Sequence, residues 1–186
     1  MSRLSWLSTI VIMSLLPGMA AAQLNTDHPG YFPIEELGIL PEEAITLEIN
    51  LTGPMIKFIA LATNEEEPEL SQLVEELESI RVRGADLETL DPERVRAEIR
   101  RAAQSLADSG WISMVRMRDE DEEVYIYFKE QEGEMMGLTV LSLEEDEAMM
   151  INLVGKIDPA DLGSLASGLD FPQLEQAVKE AGDSDE

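Results

Sequence analysis

Two groups of charged side chains have the types and spacing for chemistry. The first is a pair of wholly acidic runs, Asp119 to Glu122 and Glu144 to Glu147, each set between strand-like segments. Ca²⁺ takes about six to eight oxygen ligands. Two neighbouring acidic turns, with Asp119, Asp121, Glu144 and Asp146 as candidate ligands, would therefore suit a divalent cation. Neither run has the Asp-x-Asp-x-Asp-Gly spacing of a dedicated calcium loop, and the competing reading is hairpin tips whose charge prevents edge-on aggregation. The second group is basic: eight of the 13 Lys and Arg residues fall between Arg81 and Arg118. If the strand at Ile80 pairs with the one at Trp111, then Arg81, Arg83, Arg116 and Arg118 share the outer face of a sheet with Tyr125, Tyr127 and Lys129. Such a face would dock an acidic or extended partner, whether another protein, a polyanion or a second copy of the chain. The alternative is that these arginines offset neighbouring carboxylates, at little gain per pair.

Catalytic constellations are sparse. A nucleophile needs a base beside it, and the one histidine, His28, sits in a polar N-terminal stretch read as loose and solvent-exposed. Cysteine is absent, which removes thiol catalysis, disulfides and cysteine metal sites. Gly163-Ser-Leu-Ala-Ser-Gly168 does not fit G-x-S-x-G, and Gly155-Lys156 lacks the rest of a phosphate loop. Carboxylates are too numerous for one acid-base pair to stand out. The expectation is a non-catalytic protein without a cofactor, with an uncharacterised enzyme as an alternative.

The elements that position these residues read clearly from Trp111 to Gly155. Trp111, Ser113, Val115 and Met117 alternate with Ile112, Met114, Arg116 and Arg118, and Val124, Ile126 and Phe128 alternate with Tyr125, Tyr127 and Lys129. Two further runs, Met135 to Leu143 and Ala148 to Gly155, complete a four-stranded antiparallel meander with short polar turns. The third run is apolar on both faces, which predicts a central strand or one covered twice. Because direction reverses at every turn, the two acidic runs fall at the same end of the sheet.

Upstream, Ile45 to Leu51 alternates as a strand, and Pro54 opens a helix, Met55 to Ala62, apolar almost all round and so expected to be buried. Leu70, Leu73, Val74 and Leu77 repeat at helical spacing, and Ile80 to Gly84 is a short strand with Arg81 and Arg83 pointing outward. Asp91-Pro92 caps a helix running to Asp108, and Asp158-Pro159 opens another to about Ser167. The predicted fold is α+β: an antiparallel sheet of about six strands with helices packed on one face.

The formal net charge of −26 argues against nucleic acid and anionic membrane surfaces as partners, and 44% hydrophobic residues suffice for one core. Arg3, the apolar run Leu4 to Leu16, and Ala20 and Ala22 at the −3 and −1 positions read as a signal peptide over residues 1–22. The expected organisation is then a flexible leader at 23–43, a single domain at 44–168, and a C-terminal amphipathic segment with an acidic tail at 169–186. Cleavage would leave no membrane span and no lipid-anchor cysteine, which predicts a periplasmic or secreted protein whose partner is an envelope protein or itself. Tyr31, Phe32 and Ile34 are the residues that would tuck the leader onto the domain.

Three stretches, Ser79-Ile-Arg-Val-Arg, Met114-Val-Arg-Met-Arg-Asp-Glu leading to Val124-Tyr-Ile-Tyr-Phe-Lys, and Ile151-Asn-Leu-Val-Gly-Lys-Ile-Asp-Pro-Ala-Asp-Leu, carry a resemblance. With the order of elements, they resemble a bacterial envelope family known as domain of unknown function 4252, from about Ala44 to Ser167. The resemblance implies a small exported α+β domain, often a lipoprotein, frequently encoded near extracytoplasmic-function sigma factors. It implies no active-site residues, and the chain departs from the lipoprotein members in having no cysteine. The reading is therefore an exported, non-catalytic interaction module, possible members of its partner set being envelope proteins or a second copy, with a divalent-cation-responsive module as the alternative.

Overall fold

The computed structural model describes residues 25–63, 76–119 and 122–159. The expected signal peptide, most of the helix around Leu70 to Leu77, the helix after Pro159, the C-terminal segment and Asp121 lie outside the described residues. Six strands, β1 (Ile45–Thr52), β2 (Leu77–Asp86), β3 (Ile112–Arg118), β4 (Glu123–Gln131), β5 (Glu134–Leu143) and β6 (Glu147–Ile157), form one sheet. Their spatial order is β1-β2-β6-β5-β4-β3, and every pairing is antiparallel. Among the described residues two α-helices, α1 (Gly53–Thr63) and α2 (Pro92–Asp108), fall between β1 and β2 and between β2 and β3 in the chain.

Local chemistry sets the turns and caps. Asp91 accepts hydrogen bonds from the Glu93 and Arg94 amides, with Pro92 in the first turn of α2. Glu132 and Gly133, at φ 57° and 84°, make the tight turn between β4 and β5. Positive φ at both central residues matches the right-handed twist of the strands they join. Leu77 opens β2 instead of closing a helix.

The two faces bury separate clusters. On one, Val82, Ile126, Leu138, Val140, Ile151 and Leu153 pack together, joined by Ile56 of α1. On the other, Tyr125, Tyr127, Leu141 and Met150 pack against Val95, Ile99, Ala102 and Leu106 of α2. The described helices thus divide between the faces, where the sequence suggests one face. β5 is inside the sheet and buried on both sides, as its doubly apolar pattern predicts. A β-bulge between Ile45 and Leu47 shifts the phase of β1. It lets Ile45 pack with the α2 cluster while Ile49 and Leu51 pack with the other. The expected all-round burial of α1 does not hold. Met55 and Phe58 are exposed, Phe58 at 73%: among the described residues α1 packs mainly on β1 and β2 and turns Ile56 to the core.

Residues 30–44 are the second cover of the α2 face. Phe32, Ile34, Ile39 and Leu40 are buried, and Phe32 meets Trp111 edge-on at 6.1 Å between ring centroids. The leader expected to be flexible is a strap across β5, β6 and β2, held by the aromatic residues expected to tuck it in. His28 is not solvent-exposed either: its side chain is 8% accessible and its Nδ1 accepts from the Gly30 amide. The strap starts where Gly30 crosses Gly137. A Cβ on Gly137 would lie 2.5 Å from the Gly30 Cα, so neither position has room for a side chain.

Fully buried Asn152 on β6 fixes the strap. Its Oδ1 accepts from the Phe32 amide at 3.1 Å and from Arg81, and its Nδ2 donates to the carbonyls of Gly30 and Leu138 and to the Thr139 hydroxyl. Asn152→Leu strands several buried polar groups, each costing about 1–3 kcal/mol. It should lower unfolding free energy by about 3 kcal/mol in urea and speed hydrogen exchange at the Phe32 amide before the sheet. Gly137→Ala should do the same by lifting the strap. An unchanged urea midpoint in both variants would contradict this account of the strap.

Candidate functional site

The arginines of the basic segment fall into an interior set and an outward set. Arg81 is fully buried: its guanidinium donates to Glu35, the Phe32 carbonyl and Asn152, and lies 4.3 Å from the centre of the Tyr31 ring. Arg83 is buried beside it and pairs with Glu42 at 2.7 Å and Glu48 at 4.0 Å. Their expected outward orientation is corrected: they alternate to the face that the strap covers. The expected pairing of the Ile80 and Trp111 strands is corrected too. β2 and β3 share that face but are separated by β6, β5 and β4.

At the other end of the same face, the first residue of β4 organises a second network. Glu123 is fully buried, receives a two-pronged contact from Arg100, and has Arg96 Nε at 3.4 Å. The Tyr125 hydroxyl donates to Glu123 at 2.8 Å and accepts from Arg118 Nε at 2.7 Å. Arg116 donates to the Tyr127 hydroxyl at 3.1 Å. Both tyrosine rings are buried, so they support the arginines from beneath and are not themselves a docking surface. Arg116 and Arg118 are exposed, and neither pairs with a carboxylate among the described residues. Lys129 instead donates to the Ser109 and Gly110 carbonyls at the end of α2.

Burial alone pushes the Glu123 carboxyl up, but hydrogen bonds from Arg100 and Tyr125 and the charges of Arg100 and Arg96 hold it below the ordinary carboxylate range. Burial and the hydrogen bond to Glu123 raise the Tyr125 phenol. α2 is thereby clamped to the sheet by an ionised carboxylate.

The acidic turns do lie at one end of the sheet, since Glu123 pairs with Leu143 and Leu143 with Ala148. Each closes on itself by a backbone bond, Asp119 to Glu122 at 2.7 Å and Glu144 to Glu147 at 2.8 Å. Asp146 and Glu147 line a hollow of about 280 Å³ with Thr46 and Asp86. Among the described residues no three carboxylates or histidines are placed to hold a metal ion, so Asp119, Glu144 and Asp146 are not brought together as ligands. Burial, and then the charges of Glu144, Asp146 and Asp86, raise the Glu147 carboxyl. No described helix is long and apolar enough to cross a membrane. Asn152 escapes the motif reading because it is one polar residue inside the apolar run Ala148 to Gly155, and Glu123 because it directly continues the acidic run Asp119 to Glu122. For Asn152 that interruption of an apolar run is the available signal.

The two perturbed carboxylates give opposite pH effects. Glu123 contributes stability above the carboxylate range of about pH 4.3 that is lost as pH falls through its lower folded-state value. Glu123→Gln should therefore cost about 2 kcal/mol at pH 7, less than a fully buried broken pair because Arg100 can rehydrate. The deficit should shrink in strong acid. Glu147, with its raised value, destabilises the fold above that value. Glu147→Gln should raise the melting temperature at pH 7 to 8, with the gain vanishing below about pH 4. Melting curves across pH check both, and parallel curves for variant and wild type would contradict the assignments.

Neither a curated protein nor a solved structure matches the chain. The model of one family, described as a domain of unknown function (DUF4252), matches residues 42–165, which include all six strands and the clamp at Glu123. The chain belongs to the DUF4252 family.

Proposed function

We propose that this protein is an exported, non-catalytic component of the bacterial envelope, periplasmic or secreted, that works as a protein-interaction module, its partner an envelope protein or a second copy of itself. The N-terminal pattern of Arg3, an apolar run and small residues at 20 and 22 supports export. The resemblance described above favours a sigma-factor-linked envelope response as its setting. The observation that carries the binding reading is the outer edge of β3. Arg116 and Arg118 stand exposed there without carboxylate partners among the described residues, in a chain of net charge −26. The tyrosines beneath hold both guanidiniums in place, so less side-chain freedom is lost when a partner arrives. β3 ends the strand order, and no strand among the described residues pairs with its outer backbone groups, which an added strand could use.

The docking site so defined is narrower than a face of four arginines and two tyrosines. Tyr125 and Tyr127 support it from within and Arg116 and Arg118 present it, while Arg81 and Arg83, on β2 with three strands between it and β3, hold the strap and the start of β1 instead. Crosslinked recovery from the native envelope tests the proposal. Arg116→Glu with Arg118→Glu should reduce a specific partner at least tenfold, whereas Arg101→Glu, an exposed arginine on α2, should leave it unchanged. Equal recovery by the wild type and the β3 variant would overturn the proposal.

A further inference from the structure

Among the described residues the sheet is open at both edges, β1 on one side and β3 on the other. With six strands, all antiparallel, β1 and β3 run in opposite directions. A second copy set beside the first in the same orientation therefore brings its β1 antiparallel to β3, with each face continued by the same face.

Charge selects this pairing over the two symmetric ones. On the face covered by α2 and the strap, the β3 edge presents Arg116 and Arg118, and the β1 edge presents exposed Glu48, which lies beside Arg83. Pairing β3 with β3, or β1 with β1, sets like charges across the junction and is unfavourable; pairing β1 with β3 sets opposite charges together. On the other face, Ile49 and Leu51 of β1 and Val115 and Met117 of β3 are only half-buried at the margins of the core. Joining the edges completes both rows. The four exposed large apolar residues among those described also flank the edges: Leu47 on β1, Met55 and Phe58 on the helix packed on β1 and β2, and Ile112 on β3.

We propose that the chain assembles head to tail with copies of itself, the β1 edge of one copy adding to the β3 edge of the next, with Glu48 facing Arg116 and Arg118. This rests on the binding reading above and names the partner as a second copy. The contact is heterologous, so it propagates, and strand twist turns each copy relative to the last, giving an open helical row in place of a closed dimer.

Sedimentation velocity of the protein purified from its own cells, at about 0.15 M salt where long-range repulsion is screened within roughly 8 Å, tests the assembly. Wild type should grow past the dimer as concentration rises. Glu48→Lys alone, and Arg116→Glu with Arg118→Glu alone, should each weaken self-association at least tenfold. An equimolar mixture of the two variants should reassemble, because the basic β1 edge of one meets the acidic β3 edge of the other. Reassembly also shows that both variants are folded. A wild type that stays monomeric, a Glu48→Lys variant that associates as wild type does, or a mixture that remains dispersed would each overturn the proposal. A monomeric wild type whose envelope partner is still lost with Arg116 and Arg118 would overturn self-assembly alone and leave the binding reading standing.

Discussion

A cation buried on the second strand of the sheet constrains much of this molecule. Arg81 has no accessible surface, and an isolated charge in that position would be costly. Glu35, the Phe32 carbonyl, Asn152 and the Tyr31 ring together make it tolerable. Three of these four partners come from the strap, so the sheet face and the strap depend on each other. With the strap in place, Phe32 reaches Trp111 and Ile39 and Leu40 join the α2 cluster. These contacts fix where the strap crosses the sheet, which an apolar replacement of the same volume would not dictate.

The Glu123 clamp repeats this logic at the opposite end with the signs reversed. A buried carboxylate is satisfied by arginines from α2 and by a tyrosine of its own strand. The tyrosine passes the contact outward to Arg118 on the edge. Arg118 on the edge strand is thus supported by the network that docks the helix, and Arg116 by the neighbouring Tyr127.

Much of the architecture was legible because alternation and capping are local signals. The meander from Trp111 to Gly155 and the Asp91-Pro92 helix start follow from side-chain period and cap chemistry alone. Ile80-Arg-Val-Arg illustrates the limit. Its alternation states that two faces differ, but not that the polar-looking one is covered. That depends on a strap some 45 residues upstream, whose aromatic residues were legible and whose path was not. α1 shows the converse: its apolar circumference suggested burial, yet its place beside the edge strand β1 leaves Met55 and Phe58 at the surface. Of the candidate site residues, Arg116 and Arg118 lie outward as expected, while the sequence does not display that Asn152, inside an apolar run, and Glu123, at the end of an acidic run, meet buried partners.

The central claim is that the arginines divide into those that hold the fold and those that the fold holds out. Denaturant unfolding of Arg81→Gln beside Arg116→Gln at pH 7 tests it most directly. Arg81→Gln should lose about 3–5 kcal/mol, as expected for a broken buried pair, and Arg116→Gln should stay within about 0.5 kcal/mol of wild type, as expected for a surface change. Equal losses at the two positions would contradict the division.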